Sequence, residues 1–247
     1  MSRYHLTEIP TRAPEEASKK ELKEQTKKIL EELDLLQNLL YAEGKHSVLI
    51  VLQGMDASGK DGLIKNVFGA MNPQGVQVTS FKVPTEEEAA HDFLWRIHKN
   101  TPGKGRIQIF NRSHYEDVLV TRVHNACDDE TAEKRFNAIN AFEQLLQQSN
   151  TVILKFYLHV SAAEQAERLK ERMDNPEKMW KYNKNDFKEA ALRDKYYRYY
   201  EECFQKCNHP EWMIVPSDQN WFKEYTVAHA LKNALKGLGM RYPGIDQ

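Results

Sequence analysis

The chain is 247 residues long, 40% hydrophobic and 29% charged, with 35 basic residues against 36 acidic ones. That length can bury a substantial core, and a net charge of −1 excludes overall electrostatic steering, so a polyanion must be met by a local basic patch. Cys127, Cys203 and Cys207 stand in no metal-binding or CxxC spacing, and there is neither a leader pattern nor an apolar run of about 18 residues; the expectation is a soluble, reduced, cytoplasmic protein with no membrane partner.

Residues 1–14 hold Pro10 and Pro14 and read as an extended arm. From Glu15 the pattern turns helical: Leu22, Thr26, Ile29, Leu33, Leu36 and Leu40 alternate spacings of four and three, Leu30 and Leu39 widen the stripe, and Gly44 is placed to end the helix. The stripe fits packing on the core or on another subunit equally. Residues 1–45 are therefore set apart as arm and long helix, and residues 46–247 as the core.

Val48–Leu52 is a run of five apolar residues with the branching of a fully buried strand. Gly54, four residues, then Gly59 and Lys60 follow it, and Leu63, Ile64, Val67, Phe68 and Met71 stripe a helix over Asp61–Met71. Strand, glycine-spaced turn, lysine and helix are the parts of a phosphate-binding loop, in which backbone N–H groups wrap a phosphate and a helix N-terminus adds partial positive charge. Gly54, Met55, Ala57, Ser58, Gly59, Asp61 and Gly62 are the expected loop contacts. Asp61 occupies the place where a Ser or Thr hydroxyl usually holds Mg²⁺, and Asp56 lies inside the loop, so carboxylate oxygens can hold the metal instead.

Val76–Val83 alternates as a second strand. Thr85 and Glu88 form a capping box for a helix running to about Lys99, Thr101–Gly105 is a turn, and Arg106–Phe110 is a third strand. The next helix spans Asp129–Gln148, the fourth strand Thr151–Val160, and Ser161 with Glu164 caps a helix carrying Arg168 and Arg172 that breaks at Asn175-Pro176. A basic–aromatic loop through Trp180 and Lys181 leads into one long helix from Asp186 to Lys206, then a fifth strand at Trp212–Val215 and a final helix over Phe222–Leu235. Strands alternating with helices predict an α/β fold, a parallel five-stranded sheet sandwiched by helices.

At the end of the third strand, where phosphate-loop kinases in general place a metal-holding carboxylate, stands Asn111, with Glu116 and Asp117 close behind. Asp56, Asp61 and Glu116 are the candidate metal environment, although Glu116 and Asp117 also suit an ordinary acidic helix start. Arg168 and Arg172 share one helical face, as a lid closing arginines over a transferring phosphoryl group requires; Glu164 could equally pair Arg168 four residues on. Asn183-Lys184-Asn185-Asp186 matches a guanine-reading motif but follows no strand, and is set aside. His91 and His98 lack a third metal ligand, and the tyrosines at 196, 197, 199 and 200 read as packing.

Gly54, Asp56, Gly59 and Lys60 (GxDxxGK), Phe110, Arg112, Ser113 and Tyr115 (F-x-R-S-x-Y), Arg172–Lys181 (RMDNPEKMWK) and Trp212–Asp218 (WMIVPSD) together resemble the polyphosphate kinase 2 family, from about Thr26 to Trp221. The resemblance implies a P-loop kinase-like core with a helical lid at about 165–190, using Mg²⁺ to move phosphoryl groups between inorganic polyphosphate and nucleotides. It implies that Asp56 is catalytic and metal-associated, that Lys60 and Arg112 contact phosphates, and that Arg172 closes from the lid; with Glu116 these form the expected catalytic set. Arg168 and Lys181 are expected to add phosphate contacts, and Lys65, Lys82, Arg96, His98, Lys104 or Arg122 to line a groove for the polyphosphate chain. Family members acting on diphosphates often read F-D-R-S-W-Y-N; Asn111, His114 and Glu116 depart from this and look like the subgroup accepting both AMP and ADP, with ATP as the end product. Adenine against guanine preference stays open. A homo-oligomer is expected, and no nucleic acid partner. Two competing readings are an ATP-dependent nucleoside monophosphate kinase on the same core and a nucleotide- or polyanion-binding module without turnover.

Overall fold

The computed structural model describes residues 4–245, so the first three residues of the expected N-terminal arm lie outside the described residues. All five expected strands form: β1 (Ser47–Gln53), β2 (Val76–Ser80), β3 (Ile107–Asn111), β4 (Thr151–His159) and β5 (Trp212–Pro216). They pair in parallel in the order β2–β3–β1–β4–β5. The helices are α1 (Lys19–Glu43), α2 (Lys60–Val67), α3 (Glu86–Ala89), α4 (Trp95–His98), α5 (Val120–Val123), α6 (Asp129–Gln148), α7 (Ala162–Asp174), α8 (Lys184–Ala191), α9 (Arg193–Lys206) and α10 (Asn220–Gly237).

β1 is the central strand, and every one of its residues is buried. Its apolar run serves both faces because successive side chains alternate. Leu49 and Val51 point into a core shared with Phe136, Ile139 and Phe142 of α6 and Tyr200 and Phe204 of α9. Val48, Ile50 and Leu52 point into a second core built with Leu63 and Val67 of α2 and Val227, Leu231 and Leu235 of α10. α1 lies along α10 and places Ile29, Leu33 and Leu40 in that second core, so its apolar stripe is satisfied within the chain. Gly44 closes α1 in the left-handed region at φ 64°, its N–H donating to the Leu40 carbonyl.

Two of the expected helices are split, α2 and β2 end earlier than expected, at Val67 and Ser80, and α5 forms where no helix is expected. The single helix expected over residues 85–99 is two separate turns, α3 and α4. The Thr85–Glu88 capping box is present, but the chain leaves the helix after Ala90, and the Asp92 carboxylate then accepts from Leu94 N–H at 2.9 Å, a local turn that competes with helix. The single helix expected over residues 186–206 breaks at Leu192. α8 is tied to α7 by the Asp186–Arg172 ion pair, whereas α9 buries Tyr197, Tyr200, Cys203 and Phe204 against the sheet; two packing planes are served by two helices.

Between α6 and the sheet lies a fully buried polar group. The Glu143 carboxylate accepts from Lys155 Nζ at 2.7 Å and Tyr115 OH at 2.8 Å, and lies 3.2 Å from His114 Nε2. Lys155 also donates to Tyr115 OH and to the Cys207 carbonyl. Burial works to raise the Glu143 pKa, but His114 and Lys155 outweigh it and hold the carboxyl below its ordinary value. The group ties α6, β4, the end of α9 and the turn His114–Val118 that carries Glu116. Removing one partner strands a buried charge, so Glu143→Leu is expected to cost about 3–5 kcal/mol in urea unfolding, and adding Lys155→Met to recover part of that loss. Because the folded-state pKa of Glu143 is depressed, its contribution is complete above the ordinary carboxylate range and is lost as pH falls through the folded value; the acid unfolding midpoint should shift in the single variant.

Candidate active site

The turn from β1 into α2 is made by three residues with positive φ: Gly54 at 151°, Ala57 at 63° and Gly59 at 93°. A Cβ at Gly54 would stand 2.8 Å from both the Leu158 carbonyl and Ser58 Oγ, so only glycine fits. Gly59 is the N-cap of α2 and offers no side-chain cap, which leaves the first N–H groups of the helix without intrahelical acceptors. This is an anion cradle at the carboxyl end of the central strand, where the strand order reverses.

The cradle opens into a cleft of about 510 Å³ lined by Asp56, Ala57, Ser58, Gly59, Lys60, Asp61 and Gly62 of the loop, with Lys82, Asn111 and Arg112 on one side and Arg168, Glu171, Arg172, Lys178, Lys181, Asn183 and Asp186 on the other. Seven of these residues are Lys or Arg and four are Asp or Glu, so the cleft carries excess positive charge in a chain that is nearly neutral. Gly54, Met55 and Glu116 border a smaller adjoining recess that shares Asp56 and Arg112 and is closed by Glu189, Tyr196 and Tyr200.

The side chains of the cleft are held by one another. Lys60 folds back over its own loop, donating to the Gly54 carbonyl at 2.7 Å and the Met55 carbonyl at 3.2 Å. Burial, followed by the neighbouring Arg112, pulls its ammonium down to about 8, against the support of Asp56, Glu116 and Asp61. Arg112, just past β3, adopts φ 62°, an uncommon conformation for a residue with a Cβ, and donates to Asp56 at 2.5 Å. Although burial opposes it, Glu116 and Asp56 raise the Arg112 pKa above its ordinary value. Burial pushes the Glu116 carboxyl up, with Arg112 and Lys60 working the other way. Asp61 accepts from Asn111 and Lys181, each at 3.0 Å; these bonds overcome burial and lower its pKa. Arg172 donates to Asp186 at 2.5 Å.

Three expected contacts have other work. Arg168 uses four of its five N–H donors within the protein: Nε donates to Glu164, NH1 to the Ala57 carbonyl, and NH2 to the Ser217 and Asp218 carbonyls. It clamps α7 to the loop after β1, and the pairing with Glu164 four residues earlier is present. Arg96 is buried, donating to the Lys82 carbonyl beside Asp117 and Glu88, so it steadies the segment that brings Lys82 to the cleft. Arg122 is buried between Asp129 and Glu202, each at 2.6 Å, and stacks on Tyr199. Both terminal nitrogens are taken by carboxylates, the side chain is buried and it does not line the cleft, so it is not placed to meet a phosphate chain. Lys65 is exposed on α2 and does not line the cleft, His98 packs edge-on against Phe142, and Lys104 precedes β3, at the opposite end of the parallel sheet.

Other residues join the site without a signal in the sequence. Asp186 belongs to the segment set aside as a chance motif; Asn183 there caps α8. Tyr196 and Tyr200 close the recess beside Glu116, and Lys223 of α10 stands behind the loop. Helical spacing alone could not separate these from packing residues.

Asp56, Asp61 and Glu116 supply hard carboxylate oxygens, the donor class Mg²⁺ uses. Among the described residues no three His, Cys, Asp or Glu side chains gather into a ready metal cage. Mg²⁺ does not need one, since it keeps several waters and is held by one or two carboxylates together with substrate phosphates. The donor set fits an ion that arrives with phosphate.

The sequence pattern of the polyphosphate kinase 2 family matches residues 16–241. An AMP/ADP-polyphosphate phosphotransferase from Meiothermus ruber is 50% identical over 213 residues, 85% of this chain and 80% of the relative. An ADP-polyphosphate phosphotransferase from Rhodopseudomonas palustris is 40% identical over 253 residues, 96% of this chain and 88% of the relative. The crystal structure of polyphosphate kinase 2 from Arthrobacter aurescens superposes with a TM-score of 0.94 at 39% identity, covering 100% of this chain and 90% of that one.

The two lid arginines should separate cleanly. Arg168→Ala leaves three loop carbonyls and Glu164 without their donor and is expected to lower stability by about 1–3 kcal/mol, read as a reduced melting temperature, with Arg168→Lys recovering only part. Arg172→Ala should leave the melting temperature within about 2 °C and instead lower kcat by about tenfold or more, with a smaller change in KM.

Proposed function

The chain belongs to the polyphosphate kinase 2 family, and from that premise we propose that it transfers phosphoryl groups between inorganic polyphosphate and AMP or ADP, forming ADP and ATP with Mg²⁺. The observation that carries this reading is the cation-rich cleft mounted on the phosphate loop, too charged for an apolar ligand and lined by loop residues on one side and by Arg172, Lys178 and Lys181 on the other.

Phosphoryl transfer asks a protein for position and counter-charge more than for covalent chemistry, because the transition state spreads negative charge over the equatorial oxygens. Lys60 and the loop N–H groups supply this at the floor. Arg112 supplies it from the side, released from Asp56 as phosphate arrives, and Arg172 and Lys181 supply it from the lid on leaving Asp186 and Asp61. Asp56, with Glu116 nearby, would hold Mg²⁺, which when bound neutralises phosphate charge. Asp56 is also placed to orient the attacking acceptor oxygen. Glu116 lines the recess rather than the main cleft, and there it would hold the metal or water that fills the gap left by the shorter acceptor.

The deciding assay incubates purified protein with Mg²⁺, polyphosphate and either AMP or ADP and resolves the nucleotides. ADP and ATP should form without added ATP, and Lys60→Ala should reduce the rate by about 10²–10³. Transfer that requires ATP as donor would instead make the protein a nucleoside monophosphate kinase, and binding without exchange would make it a non-catalytic module. Glu116→Asn should lower kcat/KM for AMP relative to ADP by about tenfold, a difference of about 1.4 kcal/mol in transition-state binding. An unchanged AMP:ADP ratio would remove Glu116 from acceptor choice.

A further inference from the structure

Lys223, in the first turns of α10, is only 1% exposed. Its ammonium donates to Asn220 Oδ1 at 2.9 Å, the Gly59 carbonyl at 3.3 Å and the Ser58 carbonyl at 3.4 Å. Among the described residues no carboxylate lies within ion-pair distance of it. A buried cation bonded to neutral oxygens alone carries a desolvation cost of several kcal/mol, which Glu224 and Glu164, beyond ion-pair distance, offset only in part. An apolar residue would fill that site more favourably, so the charge calls for a partner outside the chain's own side chains.

The contacts of Lys223 lead back to the phosphate loop. Lys223 approaches the loop from the side of Gly59, closely enough that a Cβ on Gly59 would overlap its Nζ. The two carbonyls it holds belong to the peptide units whose N–H groups are those of Gly59 and Lys60, the N-cap and first residue of α2. Those N–H groups are among the ones the helix leaves unpaired, and they face the anion cradle. An ammonium on the oxygen end of a peptide polarises it and strengthens its N–H as a donor.

We propose that Lys223 is a positioning residue for the phosphate loop, holding the Ser58 and Gly59 carbonyls from behind so that the Gly59 and Lys60 N–H groups bind phosphate, with its own buried charge compensated by the bound polyanion. This rests on the reading of the loop as a phosphate site. The groups facing Lys223 are Arg168 and Glu164 of α7, Lys60 of α2 and Glu224 of α10. Burial, then Arg168, pulls its ammonium down to about 7, with Lys60 adding to the fall and Glu224 and Glu164 opposing it. A bound anion favours the charged form, so phosphate affinity should fall as pH rises through that region.

The test measures inorganic tripolyphosphate binding by calorimetry and steady-state kinetics for the full chain carrying Lys223→Met or Lys223→Gln, with Lys60→Ala alongside. At pH 6.5 both Lys223 variants should bind tripolyphosphate at least tenfold more weakly, with KM for polyphosphate raised tenfold and kcat reduced less than threefold. Between pH 6 and 8.5 the wild-type protein should lose affinity in a step near pH 7 that both variants lack; a purely structural lysine would not produce that difference. Affinity within twofold of wild type, or a pH profile parallel to it, would overturn the proposal. If Met at 223 prevents folding, Gln decides on the same terms, and failure of both to fold would also overturn it, since a charge kept for phosphate is not needed to fold. Weak binding in Lys60→Ala with normal binding in the Lys223 variants would sink this proposal and leave the phosphate loop standing; normal binding in all three would sink the loop itself.

Discussion

Asp56 and Arg112 meet at 2.5 Å beside the phosphate loop, and this pair shows the constraint under which the whole cleft is built. A pocket made to receive several phosphate charges holds cations that repel one another whenever it is empty. Four of the cleft cations have found an oxygen: Arg112 on Asp56, Arg172 on Asp186, Lys181 on Asp61, and Lys60 on its own loop carbonyls. In the proposed function these carboxylates hold the places that phosphate oxygens take. Such pairs are partly exposed, so each contributes little to stability and exchanges readily for a phosphate oxygen.

What does not exchange is the frame behind the cleft. Arg168 ties the lid helix to the loop, and Gln165 donates to the Asp56 carbonyl from the same helix. The start of that helix is fixed in turn, because Asp218 accepts from Ser161 N–H and from Thr11 Oγ1 of the N-terminal arm. The arm is thus part of the scaffold: Leu6 is buried in the core, and the Ile9 carbonyl lies 3.1 Å from His159 Nε2 at the end of β4. In the proposed transfer it is the segment from residue 172 onward that moves, while the start of α7 stays anchored.

The sequence makes legible whatever is encoded locally. The doubly buried strand at Val48–Leu52, the glycine spacing of the loop, the amphipathic stripes of α1, α2 and α6 and the caps at Thr85 and Ser161 all depend on near neighbours in the chain, and they form. The roles of individual arginines are not encoded that way. Arg96, Arg122 and Arg168 have the same local look as Arg172, and only the fold reveals that Arg122 is sealed between carboxylates from α6 and α9 while Arg172 faces the cleft. Lys223 is the same case inverted: a lone lysine on a terminal helix reads as a solvated side chain until the sheet brings α10 under the loop. The break at Leu192 follows likewise from two packing partners that lie far apart in sequence.

The exchange of carboxylate for phosphate is the central claim, and hydrogen–deuterium exchange over the lid tests it most directly. Backbone amides across residues 172–186 should exchange more slowly when Mg²⁺ and tripolyphosphate are added, as Arg172 and Lys181 trade weak, partly exposed ion pairs for contacts to bound phosphate, while the amides of α7 before residue 170 stay unchanged. Binding of tripolyphosphate with no change in exchange across residues 172–186, or with faster exchange there, would contradict it.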